Sequence, residues 1–150
     1  MKYSQEIIIR LPREEVISKM EKPENFKFWQ KGFISYKHVT GTPGKEGSRS
    51  KLIYIMNGRE IEMIETIIKS NLPKELHTTY ETKGLYNIQK NYFEEESGTS
   101  TRWVSYSEFQ FSGFMKLIGK LMPGTFKKQS LQFMKDFKAF AEEGKSVKNN

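Results

Sequence analysis

The C-terminal quarter of the chain constrains the fold more than any other segment. Apolar residues between positions 114 and 141 recur at helical spacing, and lysines occupy mainly the opposite face. Almost everything in residues 33–111 instead has the pattern of β-strands separated by turns. A long amphipathic helix that follows a run of antiparallel strands can bury its apolar face if the sheet wraps around it. A pocket remains wherever side chains do not fill the space between them.

The N-terminal segment predicts a strand and two short helices. Residues 2–10 have a strand pattern that ends at Pro12, which suits the first turn of a helix. Glu14 and Glu15 follow where the helix dipole favours acidic side chains. A second short helix is predicted over residues 23–30, and it stops near Gly32.

Six further strands are predicted, with short connections that favour an antiparallel meander. Asn57-Gly58 lies between two β-rich runs and is a strong hairpin signal. The acidic run of residues 94–98 is interpreted as a turn. The predicted strands cover residues 33–40, 52–56, 61–68, 76–82, 86–93 and 101–111.

The C-terminal helical segment is interrupted at Met122-Pro123-Gly124. Proline lacks a backbone donor and glycine weakens a helix, so we expect a break or kink there. The break divides the segment into a short apolar helix over residues 114–121 and a longer helix over residues 125–141. One domain is predicted over residues 1–143, followed by a polar tail, residues 144–150, that we expect to be disordered.

Composition excludes several classes of function. The chain has no cysteine, so it has no disulfide, thiol nucleophile or thiolate metal site. His38 and His77 do not have metal-binding spacing, and we expect neither a metal nor a cofactor. The longest apolar run is too short to span a bilayer. Residues 1–10 lack the layout of a signal peptide, so a cytoplasmic location is expected.

The net charge of +7 is concentrated near the C-terminus. Residues 113–150 hold eight lysines and three acidic residues. A solvated helix face explains this pattern most simply, and a transient contact with an anionic membrane surface is an alternative. No nucleic-acid motif is present, so we expect no nucleic-acid partner. The sequence does not define the oligomeric state.

Several short motifs occur in a characteristic order along the chain. They are Pro12-Arg13-Glu14-Glu15-Val16, Phe28-Trp29, the loop with Gly41, Gly44 and Gly47, Gly58-Arg59-Glu60-Ile61, and Gly98-Thr99-Ser100-Thr101-Arg102-Trp103. Together with the order of elements, they resemble the START/Bet v 1-like (SRPBCC) superfamily, above all its polyketide cyclase/dehydrase branch.

The resemblance implies an α+β helix-grip fold, in which a curved seven-stranded antiparallel sheet wraps around a long C-terminal helix. It also implies a deep apolar cavity that holds lipids, sterols, polyketides or other small hydrophobic molecules. It does not imply catalysis, because many members only bind.

Strand alternation predicts which side chains face the helix. The predicted lining comprises Tyr54, Met56, Met63, Glu65, Tyr80, Trp103, Ser105 and Ser107 on the sheet and Met115, Ile118, Phe126, Phe133 and Phe137 on the helical side. Each apolar member has an alternative interpretation as an ordinary core residue. The polar members are harder to place in a core, because an unpaired buried polar group costs about 1–3 kcal/mol. A register error of one residue would instead put Glu65 in solvent.

Three functions remain open from the sequence. The leading hypothesis is binding, with possible transport, of a small hydrophobic or amphipathic ligand, with residues 114–122 acting as a lid or touching a membrane surface. The second is a cyclase or dehydrase, for which His38, Glu65 and Tyr80 are the only candidate acid–base groups, and no catalytic residue is assigned. The third is an interaction module whose basic C-terminal helix meets an anionic partner.

Overall fold

All seven strands belong to one antiparallel sheet in the order β1-β7-β6-β5-β4-β3-β2. The computed structural model describes residues 1–147. The strands are β1 (Lys2–Ile9), β2 (Phe33–Thr40), β3 (Arg49–Met56), β4 (Arg59–Asn71), β5 (Glu75–Thr82), β6 (Leu85–Ser97) and β7 (Ser100–Phe111). The helices are α1 (Arg13–Glu21), α2 (Phe26–Trp29), α3 (Met115–Leu121) and α4 (Pro123–Glu143), and a 3₁₀ turn at Pro23–Asn25 precedes α2. This is the predicted helix-grip architecture.

The hairpin between β3 and β4 has the turn that its sequence predicts. Asn57 and Gly58 both have positive φ angles, of 53° and 75°. Two consecutive positive φ values are typical of a type I′ turn, whose twist matches that of the flanking strands. The turn therefore fixes the register of β4, in which Leu52 lies opposite Met63 and Ser50 opposite Glu65.

The acidic run after Phe93 is strand rather than the predicted turn. Strand β6 continues to Ser97, and the turn shrinks to Gly98 and Thr99. Pairing with β7 explains the difference, because Glu94 lies opposite Arg102 and forms an ion pair with it at 3.2 Å. Arg102 also contacts Glu6 of β1, so three strands share one exposed charge cluster.

The C-terminal helical segment breaks at Met122, as predicted, but the second helix is longer than predicted. Helix α4 begins at Pro123 because proline is tolerated at the first helical position, where its missing N–H is not needed. It ends before Gly144, whose φ of 68° is typical of a helix C-cap. Beyond it, the amide of Val147 donates to the carbonyl of Phe28 at 2.9 Å. Residues 148–150 of the predicted tail lie outside the described residues.

The core lies between helix α4, the short helices and one end of the sheet. Phe137 is fully buried and meets the rings of Trp29 and Trp103 edge-on, at centroid distances of 5.1 and 5.7 Å. Helices α1 and α2 add Val16, Ile17, Phe26 and Trp29 to the same cluster. No helix within residues 1–147 has both the length and the hydropathy needed to cross a bilayer.

Candidate functional site

Three neighbouring rows of cross-strand partners make the middle of the concave sheet face polar. We call them together the polar belt. Its rows are Ser50, Glu65, Tyr80 and Asn87, then Thr78, Gln89, Ser107 and Tyr3, then Asn91, Ser105 and Gln5. Paired residues on adjacent strands point to the same face of a sheet, so each row is a continuous line of side chains.

The burial of neighbouring residues shows that this face is the concave one. Ser50 shares its face of β3 with Leu52 and Tyr54, which both belong to the core cluster. Its cross-strand partner Glu65 therefore also points inward. The side chain of Asn87, at the far end of the row, is nearly inaccessible to solvent as well.

Glu65 and Tyr80 are desolvated but not completely covered. Burial raises the pKa of Glu65, and hydrogen bonding from the Tyr80 hydroxyl partly offsets that rise. Burial, followed by the charge of Glu65, raises the pKa of Tyr80 well above its ordinary value. Both residues nevertheless keep some accessible surface. Deep position with incomplete coverage is the combination expected of side chains that border an internal space.

Amide and indole groups organise the rest of the belt. Trp103 Nε1 donates to Asn91 Oδ1 at 2.9 Å, which joins the belt to the aromatic core. Gln89 Nε2 donates to Asn87 Oδ1 at 2.9 Å, and Asn87 Nδ2 donates to the carbonyl of Glu108 at 3.0 Å. These bonds hold the amides of β6 in fixed orientations along the concave face.

Some of the predicted lining residues belong to the packed core. Tyr54, Trp103 and Phe137 are buried members of the aromatic cluster, and Met56 and Met63 pack against it. The Tyr54 hydroxyl donates to Gln30 Oε1 at 2.6 Å.

Other predicted residues lie at the opposite end of the sheet. Phe126 packs on Phe109 and Phe111, each at a centroid distance of 5.2 Å. Met115 lies against the β5–β6 turn, since a Cβ added to Gly84 would be 2.7 Å from its Cγ. Ile118 and Phe133 are half-buried on α3 and α4. Serines 105 and 107 lie between the two ends, within the polar belt.

Sequence reasoning missed the amides of strand β6. Both faces of residues 86–93 mix polar and apolar side chains, so alternation alone could not choose between them. The residue that indicates the inward face is Phe93, because it is the one large apolar side chain in the alternating set Asn87, Gln89, Asn91 and Phe93. Its pairing with Trp103 places the three amides inward.

The two histidines lie in different environments. His38 is half-buried opposite Ser50, and within residues 1–147 its buried Nε2 finds no hydrogen-bond partner. His77 lies on the convex face beside Tyr92, and burial lowers its pKa. No group of three or more histidine, aspartate or glutamate side chains suited to a metal ion occurs in residues 1–147.

Two open depressions have volumes of about 470 and 340 Å³, and the second is lined in part by Tyr3 and Ser107 of the polar belt. Neither is bordered by Glu65 or Tyr80. The first is lined by charged groups that include Arg13, Lys74 and Glu95, and it lies near the start of α1. The candidate site is therefore identified by the polar belt.

The comparisons with known proteins show the fold. No family model matches the sequence, and no curated protein matches it. Among solved structures, a conserved protein from Geobacillus kaustophilus aligns with a TM-score of 0.77 at 15% identity, covering 97% of each chain. Ara h 8.0201 aligns with a TM-score of 0.73 at 16% identity, covering 94% of this chain and 97% of its own.

A START superfamily protein from Mycobacterium smegmatis is also similar, with a TM-score of 0.74 at 12% identity over 95% of this chain and 97% of its own. The chain therefore has a START/Bet v 1-like fold, as the motif order predicts.

Proposed function

We propose that the protein binds, and by binding can transport, a small amphipathic or hydrophobic molecule, such as a lipid or polyketide, between its sheet and helix α4. The observation that carries the proposal is the row of Ser50, Glu65, Tyr80 and Asn87 on the concave face. Burying a carboxyl group beside a phenol costs free energy, and contact with a bound ligand would offset that cost.

The chemistry of the walls favours an amphipathic guest over a bare hydrocarbon. Small-molecule sites usually combine large apolar walls with a few convergent polar groups. Met63 and Phe126 supply apolar surface, and the polar belt supplies donors and acceptors. Trp29 Nε1 is a further buried donor with no acceptor in the described part of the chain.

Native mass spectrometry tests the proposal directly. The purified protein is incubated with a mixture of lipids and polyketides, then transferred to the gas phase without denaturation. We expect one small molecule to be retained for each protein chain. The proposal is contradicted if the protein retains no small molecule and its interior is fully packed.

A pair of variants locates the bound molecule. Glu65→Gln keeps the size of the side chain but removes its charge and proton donor, and a lost hydrogen bond to such a group changes affinity by about tenfold. Glu60→Gln is the matched control, since Glu60 lies on the same strand and is exposed. Equal affinities for both variants would place the ligand elsewhere.

A cyclase or dehydrase is the second candidate, because both Glu65 and Tyr80 point into the interior. A carboxyl group whose pKa is raised by burial holds its proton at higher pH and suits general acid catalysis. In this case Glu65→Gln lowers turnover of a polyketide-like substrate by about 100-fold or more while the substrate still binds. Unchanged turnover would exclude Glu65 as the acid.

We propose in addition that the protein makes transient contact with a membrane surface, where a hydrophobic ligand enters or leaves. The basic C-terminal segment supports this contact, and it equally supports the alternative of an interaction module for another anionic partner. A cytoplasmic location stays a prediction of the sequence.

A further inference from the structure

The two most exposed large apolar side chains of residues 1–147, those of Phe114 and Leu121, lie at the corner between β7 and α4 together with Leu117 and Met122. Phe114 is 73% exposed, Leu121 67%, Met122 50% and Leu117 49%. We call these four residues the apolar patch. Phe114 immediately precedes α3 with helical φ and ψ angles, and residues 114, 117 and 121 follow one another at helical spacing, so they lie on the same side of the helix. A cluster of large exposed apolar side chains of this kind usually marks an interaction surface.

The charge around the apolar patch has a single sign. Residues 109–135 contain no aspartate or glutamate. Lys116, Lys120, Lys127 and Lys128 are all exposed, and none forms an ion pair within residues 1–147. These four lysines, which we call the basic collar, are free to meet an external anionic partner.

The inner side of α3 is already packed against the domain. Met115 contacts the β5–β6 turn at Gly84, and Gly119 lies against Phe111, since an added Cβ would be 2.7 Å from its ring. The apolar patch therefore stays exposed although the opposite side of α3 is already packed against the domain.

We infer that the apolar patch and basic collar dock on an anionic lipid bilayer. Apolar side chains can enter the boundary between headgroups and acyl chains, while lysines contact anionic headgroups around them. A second copy of this chain would bring two basic collars together, which like-charge repulsion disfavours. The inference rests on the proposed membrane contact and is independent of the interior ligand.

Vesicle co-sedimentation tests the inference with the full-length protein. We expect binding to vesicles of equal parts phosphatidylcholine and phosphatidylglycerol, little binding to phosphatidylcholine alone, and weaker binding as salt is raised. Lys127→Gln with Lys128→Gln should weaken binding about 30-fold, which corresponds to about 1 kcal/mol for each lysine. Phe114→Ser with Leu121→Ser should weaken it about tenfold or more.

A control variant elsewhere on the surface distinguishes a specific effect of the apolar patch and basic collar from a general effect of losing a lysine or an apolar side chain. Ile34→Ser with Lys37→Gln changes the same residue types on β2, where both side chains are exposed, and should leave vesicle binding within about twofold. Matching thermal unfolding curves exclude misfolding of any variant. Equal vesicle binding by patch and control variants, or no preference for anionic vesicles, overturns the inference.

Self-association and ligand retention are measured on the same variants. Concentration-dependent dimers that disappear in the Phe114→Ser and Leu121→Ser variant would assign the surface to a second copy and overturn the lipid inference. Ligand retention in native mass spectrometry, measured without vesicles, should be unchanged in all patch variants. Failure of vesicle binding with retained ligand rejects the membrane contact and its docking surface but leaves the proposal of ligand binding in place.

Discussion

The concave face of the sheet differs between one end and the middle. At one end, Trp29, Trp103 and Phe137 meet edge-on and belong to a buried aromatic cluster. At the middle, the sheet presents short polar side chains with Glu65 and Tyr80 among them. The same sheet and the same helix form both regions, so the difference is produced by side chains and by the elements that close each end.

The short helices explain why only one end is tightly packed. Helices α1 and α2 contribute buried residues such as Val16 and Trp29. Helix α3 contacts the other end but has no fully buried residue. The aromatic cluster is therefore expected to contribute most of the packing stability, whereas the polar belt is the region that we propose to contact a ligand.

Removing a ring from the packed end should have the largest effect on stability. Phe137→Ala deletes a fully buried side chain between two tryptophans and should lower the free energy of unfolding by about 3–5 kcal/mol. Phe126→Ala, at the half-buried opposite end, should cost clearly less. Urea unfolding followed by circular dichroism measures both. Equal losses would mean that the two ends are packed alike.

The bond between Trp103 and Asn91 joins the two regions and should have an intermediate effect. Trp103→Phe leaves Asn91 Oδ1 without its indole donor, which should cost about 1–3 kcal/mol of unfolding free energy. Asn91→Leu combined with Trp103→Phe removes both partners and should recover part of that loss. Additive losses in the double variant would show that the bond contributes little.

The charge of Glu65 should make stability depend on pH. Because folding raises its pKa above the ordinary value of 4.5, the native state binds this proton more tightly than the unfolded state. The unfolding free energy of the wild type should therefore fall as pH rises from 4.5 through the raised pKa. Glu65→Gln cannot ionise, so it should gain stability relative to the wild type over that interval.

Urea unfolding of both proteins at a series of pH values measures this difference. Glu60→Gln is the control, since Glu60 is exposed and on the same strand. A difference between Glu65→Gln and wild type that stays constant with pH would place the Glu65 carboxyl in solvent.

Most of the fold could be predicted because the residues that end its strands and helices act locally. Asn57-Gly58 and Pro123 mark their turn and helix break through backbone preferences that need no tertiary context. The extension of β6 through Glu94 could not be predicted in this way. It depends on Arg102, a partner across the sheet, and short-range composition does not report such pairing.

The candidate site could be predicted only where one strand face was clearly more apolar. Met63 and Glu65 could be placed because apolar residues alternate around them in β4, and the type I′ turn holds that register. Asn87 is harder to place, because both faces of β6 mix polar and apolar residues and only the pairing of Phe93 with Trp103 and of Asn87 with Phe109 on β7 fixes which face is inward. Periodicity and register determine the face on which a side chain lies, whereas ligand binding depends on the chemistry of the groups on that face.

The smallest expected effect comes from the opposite face of strand β4. Glu62 lies three residues before Glu65 and forms an exposed ion pair with Lys51 at 3.3 Å. Such surface pairs contribute at most about 1 kcal/mol and weaken with salt, so Glu62→Gln should barely change the urea midpoint. Ligand affinity should also be unchanged, because Glu62 points away from α4.

A slip of one residue in register would exchange the two faces of β4. A loss of ligand binding in Glu62→Gln but not in Glu65→Gln would therefore reverse the assignment of the concave face and, with it, the contrast between the two regions.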